Sequence, residues 1–300
     1  MSLGAFYHGK PNHPGAVVVG AKGMLGTHVC ELLTSLGVPF SAVDREELDL
    51  SSAEAVSTSD LDMSAVWFNC AAWTDVDGAE EHEDRALAIN GGPGLRALCA
   101  RVKDAGGLLV HVSTDYVFEG NASEPYETDH PRSPIGAYGR TKAAGEVIVE
   151  TSGCDFVIAR TSWLYSPHAN NFVKTMAKLT DERDELKVVS DQRGRPTSAE
   201  HLARSLVGLV DAEAQGVFHV TDGGECTWHE FACATRDGLG HACEIAPCTT
   251  DEFPRPAPRP AYSVLDLTKT ESLLGAMPSW RDNLRAVLEE LRVQDRARSA

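Results

Sequence analysis

The chain has 300 residues, 42% hydrophobic and 24% charged, an ordinary globular composition with room for one large domain or two modest ones. Its formal charge of −17 repels nucleic acid phosphates and anionic lipids, so neither nucleic acid nor a membrane is an expected partner. An anionic small substrate would need a locally basic pocket, and no apolar run reaches the ~20 residues of a membrane span.

Residues 1–15 are polar and rich in Gly, Pro and His, without the apolar stretch of a secretory signal, and read as a flexible N-terminal segment. Ala16–Gly20 is a short apolar run bounded by glycines, the mark of a buried strand. An amphipathic stretch from Met24 to Leu36 follows, then strand-like runs at Val38–Val43 and Ala65–Cys70. Helical periodicity spans Ala86–Ala105, Leu108–Val112 is again strand-like, Tyr138–Glu150 helical and Phe156–Ala159 a strand. This β–α alternation predicts an α/β fold, a Rossmann-type doubly wound parallel sheet.

Beyond residue 160 the pattern loosens. Helices are expected at Phe172–Leu179, Ala199–Val210, Leu267–Leu274 and Trp280–Leu291, with a short strand at Gly216–Val220. The run Glu252–Pro260 is too proline-rich for a helix or a sheet interior. Residues 16–165, with part of the later chain, therefore read as a dinucleotide-binding domain, and 166–300 mainly as a smaller C-terminal substrate-binding lobe with closing helices.

The eight cysteines form no CxxC pair. Four of them, Cys226, Cys233, Cys243 and Cys248, share a region with His229 and His241, but the spacings match no zinc pattern. Reduced thiols in a cytoplasmic protein are expected, and no metal site.

The first strand ends in Gly20-Ala-Lys22-Gly23-Met24-Leu25-Gly26 and opens a helix. Glycines there allow a tight turn and close approach of backbone N–H groups to a pyrophosphate, and the helix N-terminus favours negative charge. Placed between a strand and a helix, the pattern reads as a dinucleotide cradle. The second strand ends at Asp44-Arg45. An acidic residue there suits the ribose 2′-hydroxyl of NADH and an arginine the 2′-phosphate of NADPH, so both cofactors stay open, with a lean to NADPH from Arg45. Asp49-Leu50 can reach the adenine edge, or Asp49 can cap a helix at Ser51-Ser52.

Tyr138-Gly-Arg-Thr-Lys142 is a YxxxK pair, which on a helix puts phenol and ammonium on one face, one turn apart. A neighbouring ammonium lowers the phenol's pKa from its usual ~10, so that Tyr138 can protonate a carbonyl oxygen while hydride arrives at its carbon. Lys142 can also hold the nicotinamide ribose. Ser113-Thr114-Asp115 directly follows a predicted strand, where side chains enter the ligand crevice of a parallel sheet. Thr114 can donate to the substrate oxygen, and Asp115 can bind a sugar hydroxyl or assist proton supply.

With these motifs in place, the chain resembles the dTDP-4-dehydrorhamnose reductases of the extended short-chain dehydrogenase/reductase family. The matching stretches run in order over nearly the whole chain: Gly20–Gly26, Asn69–Glu80, Ser113–Phe118, Tyr138–Lys142, Arg160–Tyr165, Asn170–Lys174 and Asp191–Thr197. The resemblance implies reduction of the 4-keto group of a dTDP-6-deoxy-L-hexulose by NADPH or NADH, giving dTDP-L-rhamnose. It implies Thr114, Tyr138 and Lys142 as the catalytic triad and Ala71, Ala72 and Asn90 along the cofactor. Thr74, Thr114, Asp115, Tyr116, Trp163, Asn171 and Arg259 would meet the substrate, with Trp163 offering an apolar face to the deoxysugar. Lys174, Arg193, Arg195 or Arg259 could meet the diphosphate. The chain departs from the family at Trp73 and Asp75. The glutamates through which some members use Mg²⁺ cannot be placed, so no obligatory Mg²⁺ is expected. A homodimer is the assembly considered. Two other readings stay open: a ketoreductase for another dTDP-deoxysugar, and a non-catalytic NADP-binding regulatory subunit resembling that of methionine adenosyltransferase.

Overall fold

The computed structural model describes residues 15–299 except Ser64, so the expected flexible segment lies, but for residue 15, outside the described residues. Six strands form the main sheet: β1 Ala16–Val19, β2 Phe40–Val43, β3 Val66–Asn69, β4 Leu108–Thr114, β5 Asp155–Thr161 and β6 Gly216–His219. Their order is β6-β5-β4-β3-β1-β2 and every pairing is parallel. The chain winds outward from β1 to β2, then crosses back to β3 on the other side of β1. That reversal opens a crevice at the carboxyl ends of β1 and β3, where open α/β sheets bind ligands.

Both faces of the sheet are covered, which is why its strands are apolar at successive positions rather than at alternate ones. Val18, Phe68, Val110 and Val157 pack under helices Met24–Ser35 and Ala199–Asp211, through Leu25, Val29, Leu33, Leu202 and Leu206. Val17, Val19, Trp67, Leu109 and Ile158 pack on the other face, under helices Pro93–Ala105 and Ala137–Ser152. Leu95, Leu98, Cys99 and Val102 make the buried stripe of Pro93–Ala105 at three- and four-residue spacing.

The single helix expected over 86–105 is two, Glu83–Asn90 and Pro93–Ala105, broken at Gly91-Gly92. Pro93 has no N–H to continue the first helix and is suited to start the second. The break also admits the helix Ala137–Ser152, since a Cβ on Gly91 would sit 2.7 Å from the Gly145 nitrogen.

After residue 165 the chain does not stay in one lobe. Helix Ala199–Asp211 and β6 return to the main sheet. The remainder packs around Tyr165, Val173, Phe231, Trp280 and Leu284, at the meeting of helices Phe172–Glu182, Trp228–Leu239 and Trp280–Ser299. That last helix extends eight residues beyond the expected Leu291. A parallel pair, Glu185–Val189 with Glu244–Cys248, was not expected. The proline-rich run forms an irregular strap, pinned where the Ala257 N–H donates to Asp77 Oδ1 at 3.2 Å.

Candidate active site

The cleft at the switch point has a volume of about 970 Å³. Its floor begins where β1 turns at Gly20, whose φ of +76° is the left-handed conformation a glycine accepts freely. A Cβ on Gly26 would stand 2.1 Å from the Gly20 carbonyl oxygen, so the third glycine is what lets the helix start against the turn. Gly23 is the N-cap of helix Met24–Ser35 and supplies no side-chain acceptor, which leaves first-turn N–H groups for an anion. Gly20, Gly23, Met24 and Leu25 line the cleft; Gly26 and Lys22 do not. The Lys22 N–H instead donates to Asp44 Oδ2 at 3.1 Å, tying the cradle to the end of β2.

Asp44, Arg45, Asp49 and Leu50 line the same end of the cleft. Arg45 is 78% exposed, with its Nε 3.7 Å from Asp49 Oδ2. Asp49 accepts from the Ser51 N–H and hydroxyl at 2.9 and 2.7 Å, and these bonds hold its carboxyl below the usual range. The cap of the helix Ala53–Thr58 is Ser52, which corrects the alternative role considered for Asp49.

Ala71, Ala72 and Thr74 form the wall after β3. Asn90, expected beside the cofactor, is buried behind that wall. It accepts from the Trp73 N–H at 2.9 Å and donates to the Trp73 carbonyl and the Thr141 hydroxyl at 3.2 and 3.0 Å. Its amide matches a backbone N–H and C=O pair, and that exchange holds it away from the cleft.

β4 extends to Thr114, two residues past the expected end, and delivers Thr114 and Asp115 into the cleft. The Thr114 hydroxyl donates to Asp115 Oδ1 at 3.0 Å and accepts from the Tyr116 N–H at 3.2 Å. Opposite stands the start of helix Ala137–Ser152, whose Ala137 N–H donates to Glu80 Oε1 at 2.8 Å. Gly139 lets the turn after β4 close on this helix, since a Cβ there would lie 2.2 Å from the Tyr116 carbonyl oxygen. Tyr138 and Tyr116 meet edge to face, ring centres 5.6 Å apart, and both line the cleft with Lys142.

Burial pushes the Tyr138 phenol up to about 12, against a hydrogen bond with Thr114 that pulls it down. Burial therefore governs this phenol, in place of the lowering expected from Lys142. The Lys142 ammonium donates to the Val112 carbonyl at 2.6 Å, and its own burial pushes it down to about 8. Burial also raises the Asp115 carboxyl to about 6, with Ser263 and Thr114 opposing. At neutral pH the phenol keeps its proton, the state a proton donor needs.

The far wall carries Trp163, held at φ +47° after β5. Its indole stacks on Trp228, centres 3.6 Å apart and planes 11° from parallel, and both line the cleft. Gly194 backs the pair, where a Cβ would sit 2.7 Å from the Trp163 ring. Asn171 lines the cleft too, but its side chain caps helix Phe172–Glu182, accepting from the Lys174 N–H at 3.2 Å and donating to the Ser166 carbonyl at 2.7 Å.

Tyr116 and Trp228 also border an adjoining cavity of about 740 Å³, and Arg259 lines that cavity rather than the cleft. Arg259 pairs with Asp77 Oδ1 at 2.8 Å. Arg193 is paired with Glu225 and Arg195 donates to the Gly224 carbonyl. Of the expected basic contacts only Arg259 reaches either cavity; Arg183, Lys187 and Arg255 also line the second. Away from both, His28, Glu31 and His168 have donor atoms within 4.8 Å of one another, among the described residues. His229 Nε2 donates to the Ile245 carbonyl at 3.0 Å and lies 3.7 Å from Cys233 Sγ.

Comparison with known proteins places nearly the whole chain in one family. The model of the RmlD substrate binding domain matches residues 16–293. The chain belongs to the RmlD substrate binding domain family. Among its relatives, a dTDP-4-keto-6-deoxy-D-glucose reductase of Streptomyces niveus is 42% identical over 83% of this chain and 87% of its own length. A dTDP-4-dehydrorhamnose reductase of Streptomyces griseus is 39% identical over 89% of this chain and 91% of its own. The crystal structure of dTDP-4-dehydrorhamnose reductase from Bacillus anthracis, in complex with NADP, superposes with a TM-score of 0.88 at 36% identity, covering 93% of this chain and 99% of that one.

In this RmlD-family chain several residues in and behind the cleft escaped the sequence reading. Trp228 opens a helix with a capping box formed by Thr227 and Glu230, a signal visible in the sequence but silent about stacking. Asp77 and Glu80 lie inside a matched stretch, yet their partners Arg259 and Ala137 are 182 and 57 residues away. No local pattern announces such pairs.

Proposed function

We propose that the protein reduces the 4-keto group of dTDP-4-dehydro-6-deoxy-L-mannose to give dTDP-L-rhamnose, with NADPH as the preferred cofactor and NADH as the weaker one. The observation that carries this reading is the single cleft holding Gly20, Gly23, Thr114, Tyr138 and Lys142 together. The nicotinamide, when bound, supplies hydride to the carbonyl carbon. The first turn of the helix at Met24 faces the diphosphate, Asp44 and Arg45 the adenosine ribose, Asp49 and Leu50 the adenine, and Lys142 the second ribose. Thr114 orients the substrate oxygen, Tyr138 gives it a proton from the phenol, and Asp115 beside them binds the sugar. Trp163 meets the apolar edge of the 6-deoxy sugar. No metal enters these steps.

In this reading residues 16–165, with 199–219, hold the cofactor, and most of the remaining chain seats the sugar nucleotide. Among the described residues no helix is long and apolar enough to cross a membrane. The eight cysteines are free, which suits a reducing cytoplasm. Homodimeric assembly completes the proposal and is checked by sedimentation.

The deciding assay supplies the dTDP-keto sugar from a coupled reaction and follows NADPH loss and the sugar formed. Accumulation of dTDP-L-rhamnose supports the reading; a different reduced dTDP-deoxysugar supports the second one, which the 42% identical Streptomyces niveus relative favours. Cofactor binding without turnover on either sugar would make the protein a non-catalytic regulatory subunit.

Two substitutions separate the ligands. Arg45→Ala should weaken NADPH about tenfold more than NADH, because a charge-assisted hydrogen bond contributes ~1.5–3 kcal/mol. Equal loss of both cofactors, in parallel initial-rate measurements, would transfer the choice to Asp44. Trp163→Ala should raise KM for the sugar nucleotide roughly tenfold, the order expected for losing an aromatic face, and leave KM for NADPH near its original value. A selective rise for NADPH instead would place the indole against the cofactor.

A further inference from the structure

Resting on the assignment of Thr114, Tyr138 and Lys142 above, we propose that Glu146 is a positioning residue for the reduction: its carboxylate fixes the elements bearing Thr114, Lys142 and Trp163 and serves as the counter-charge of Lys142. Glu146 is 0% exposed and lies one helical turn past Lys142 on the helix Ala137–Ser152. Its two oxygens accept four hydrogen bonds. Oε1 takes the Ser113 hydroxyl at 2.5 Å and Arg160 Nε at 2.9 Å; Oε2 takes the terminal nitrogens of Arg160 and Arg132 at 2.7 and 2.9 Å.

Two of the three donor residues, Ser113 and Arg160, lead to the cleft. Ser113 precedes Thr114 on β4. Arg160 stands beside Ser113 in the register of β4 and β5, three residues before Trp163. Arg160 also donates to the Thr128 carbonyl at 3.0 Å and lies over the Phe118 ring, so one guanidinium spans β5, the carboxylate and the loop beyond β4. A buried carboxylate saturated in this way has one geometry available to it, and the strand ends and the helix are held to that geometry.

The charge matters separately from the bonds. Burial alone would raise the Glu146 carboxyl, but the hydrogen bonds and charge of Arg160, with Ser113 and Arg132, hold it below the usual range. It is ionised, and it faces a buried lysine. Among the described residues, the other groups that act on Lys142 offer it no anion: the Val112 carbonyl and the neutral His111 on β4, the Cys70 thiol, pushed up by burial to about 12, and the protonated Tyr138. Arg132 is shared with Glu150, and His219, on β6, is pushed down to about 3 by burial and Arg160. Glu146 therefore opposes the burial that drives Lys142 down to about 8.

The test compares Glu146→Gln, Glu146→Asp and Ser113→Ala in the full chain, measuring kcat, both KM values and the pH profile of kcat/KM. Glu146→Gln keeps most of the shape and loses the charge. Its alkaline limb should move down by about one pH unit, a tenfold loss on the alkaline side that recovers toward acid pH. Glu146→Asp restores the charge at a shorter reach, so the limb returns while kcat stays low. Ser113→Ala removes one arm and no charge, so kcat falls several-fold with the limb in place. A folded Glu146→Gln with an unmoved limb would overturn the counter-charge role, and Ser113→Ala with unchanged kcat would overturn the positioning role, even if Glu146→Gln fails to fold. Loss of activity in Tyr138→Phe is the control: if Tyr138→Phe stays active, the triad assignment fails and not the role of Glu146.

Discussion

Tyr138→Phe should lower kcat by ~10²–10⁴, the usual contribution of a general acid, with KM for NADPH little changed and the thermal transition near that of the unaltered protein. The ring is retained, so the edge-to-face contact with Tyr116 survives. What disappears is the hydroxyl that meets Thr114. The phenol's own proton affinity sharpens the expectation. Pushed up to about 12, it loses no proton by simple titration at neutral pH, so removing the hydroxyl removes the proton donor itself and cannot be offset by working at higher pH. Near-normal turnover of the variant would show that the proton comes from elsewhere, with Asp115 first in line, since its carboxyl is raised to about 6 and it shares the Thr114 hydroxyl.

Gly26→Val should all but abolish cofactor binding, raising the NADPH dissociation constant by at least ~100-fold, equivalent to ~3 kcal/mol. The side chain would begin 2.1 Å from the Gly20 carbonyl oxygen and 2.8 Å from Ala21 Cα, contacts with backbone that cannot swing aside. The turn and the helix must separate, and the first-turn N–H groups then leave the position where a diphosphate meets them. Overpacking of this kind also destabilises the fold by ~1–3 kcal/mol, so binding is measured by titration at a temperature well below the variant's transition. Cofactor affinity within threefold of the unaltered protein would remove the cradle from the account.

The sheet was legible in the sequence because its strands are buried on both faces and therefore read as short apolar runs, as Ala16–Val19 and, but for His111, Leu108–Val112 do. The pair Glu185–Val189 and Glu244–Cys248 was not. Its strands carry glutamate, lysine and proline among partly exposed positions, so no alternation separates them from loop. The helix break at Gly91-Gly92-Pro93 is written in three residues, and apolar periodicity on either side masked it.

In the candidate site, the groups on short motifs were readable: the glycine turn, the Tyr138–Lys142 spacing and the hydroxyl at the end of β4. The electrostatics were not. Spacing placed a cation beside the phenol, but the depth of burial that raises Tyr138 and the Val112 carbonyl that engages Lys142 depend on packing. The partners of Arg259, Asn90 and Glu146 come from distant parts of the chain, and their roles emerge only once the strands stand side by side.

The central claim is that this cleft passes hydride to a sugar carbonyl. The direct measurement supplies NADPH deuterated at the transferable position of the nicotinamide, together with the dTDP-keto sugar, and locates the label in the product by NMR. The account predicts one deuterium at sugar C4 of dTDP-L-rhamnose, with the rate of label transfer falling in step with kcat in Tyr138→Phe. Oxidation of NADPH with no deuterium in the sugar, or label at another carbon, would contradict it.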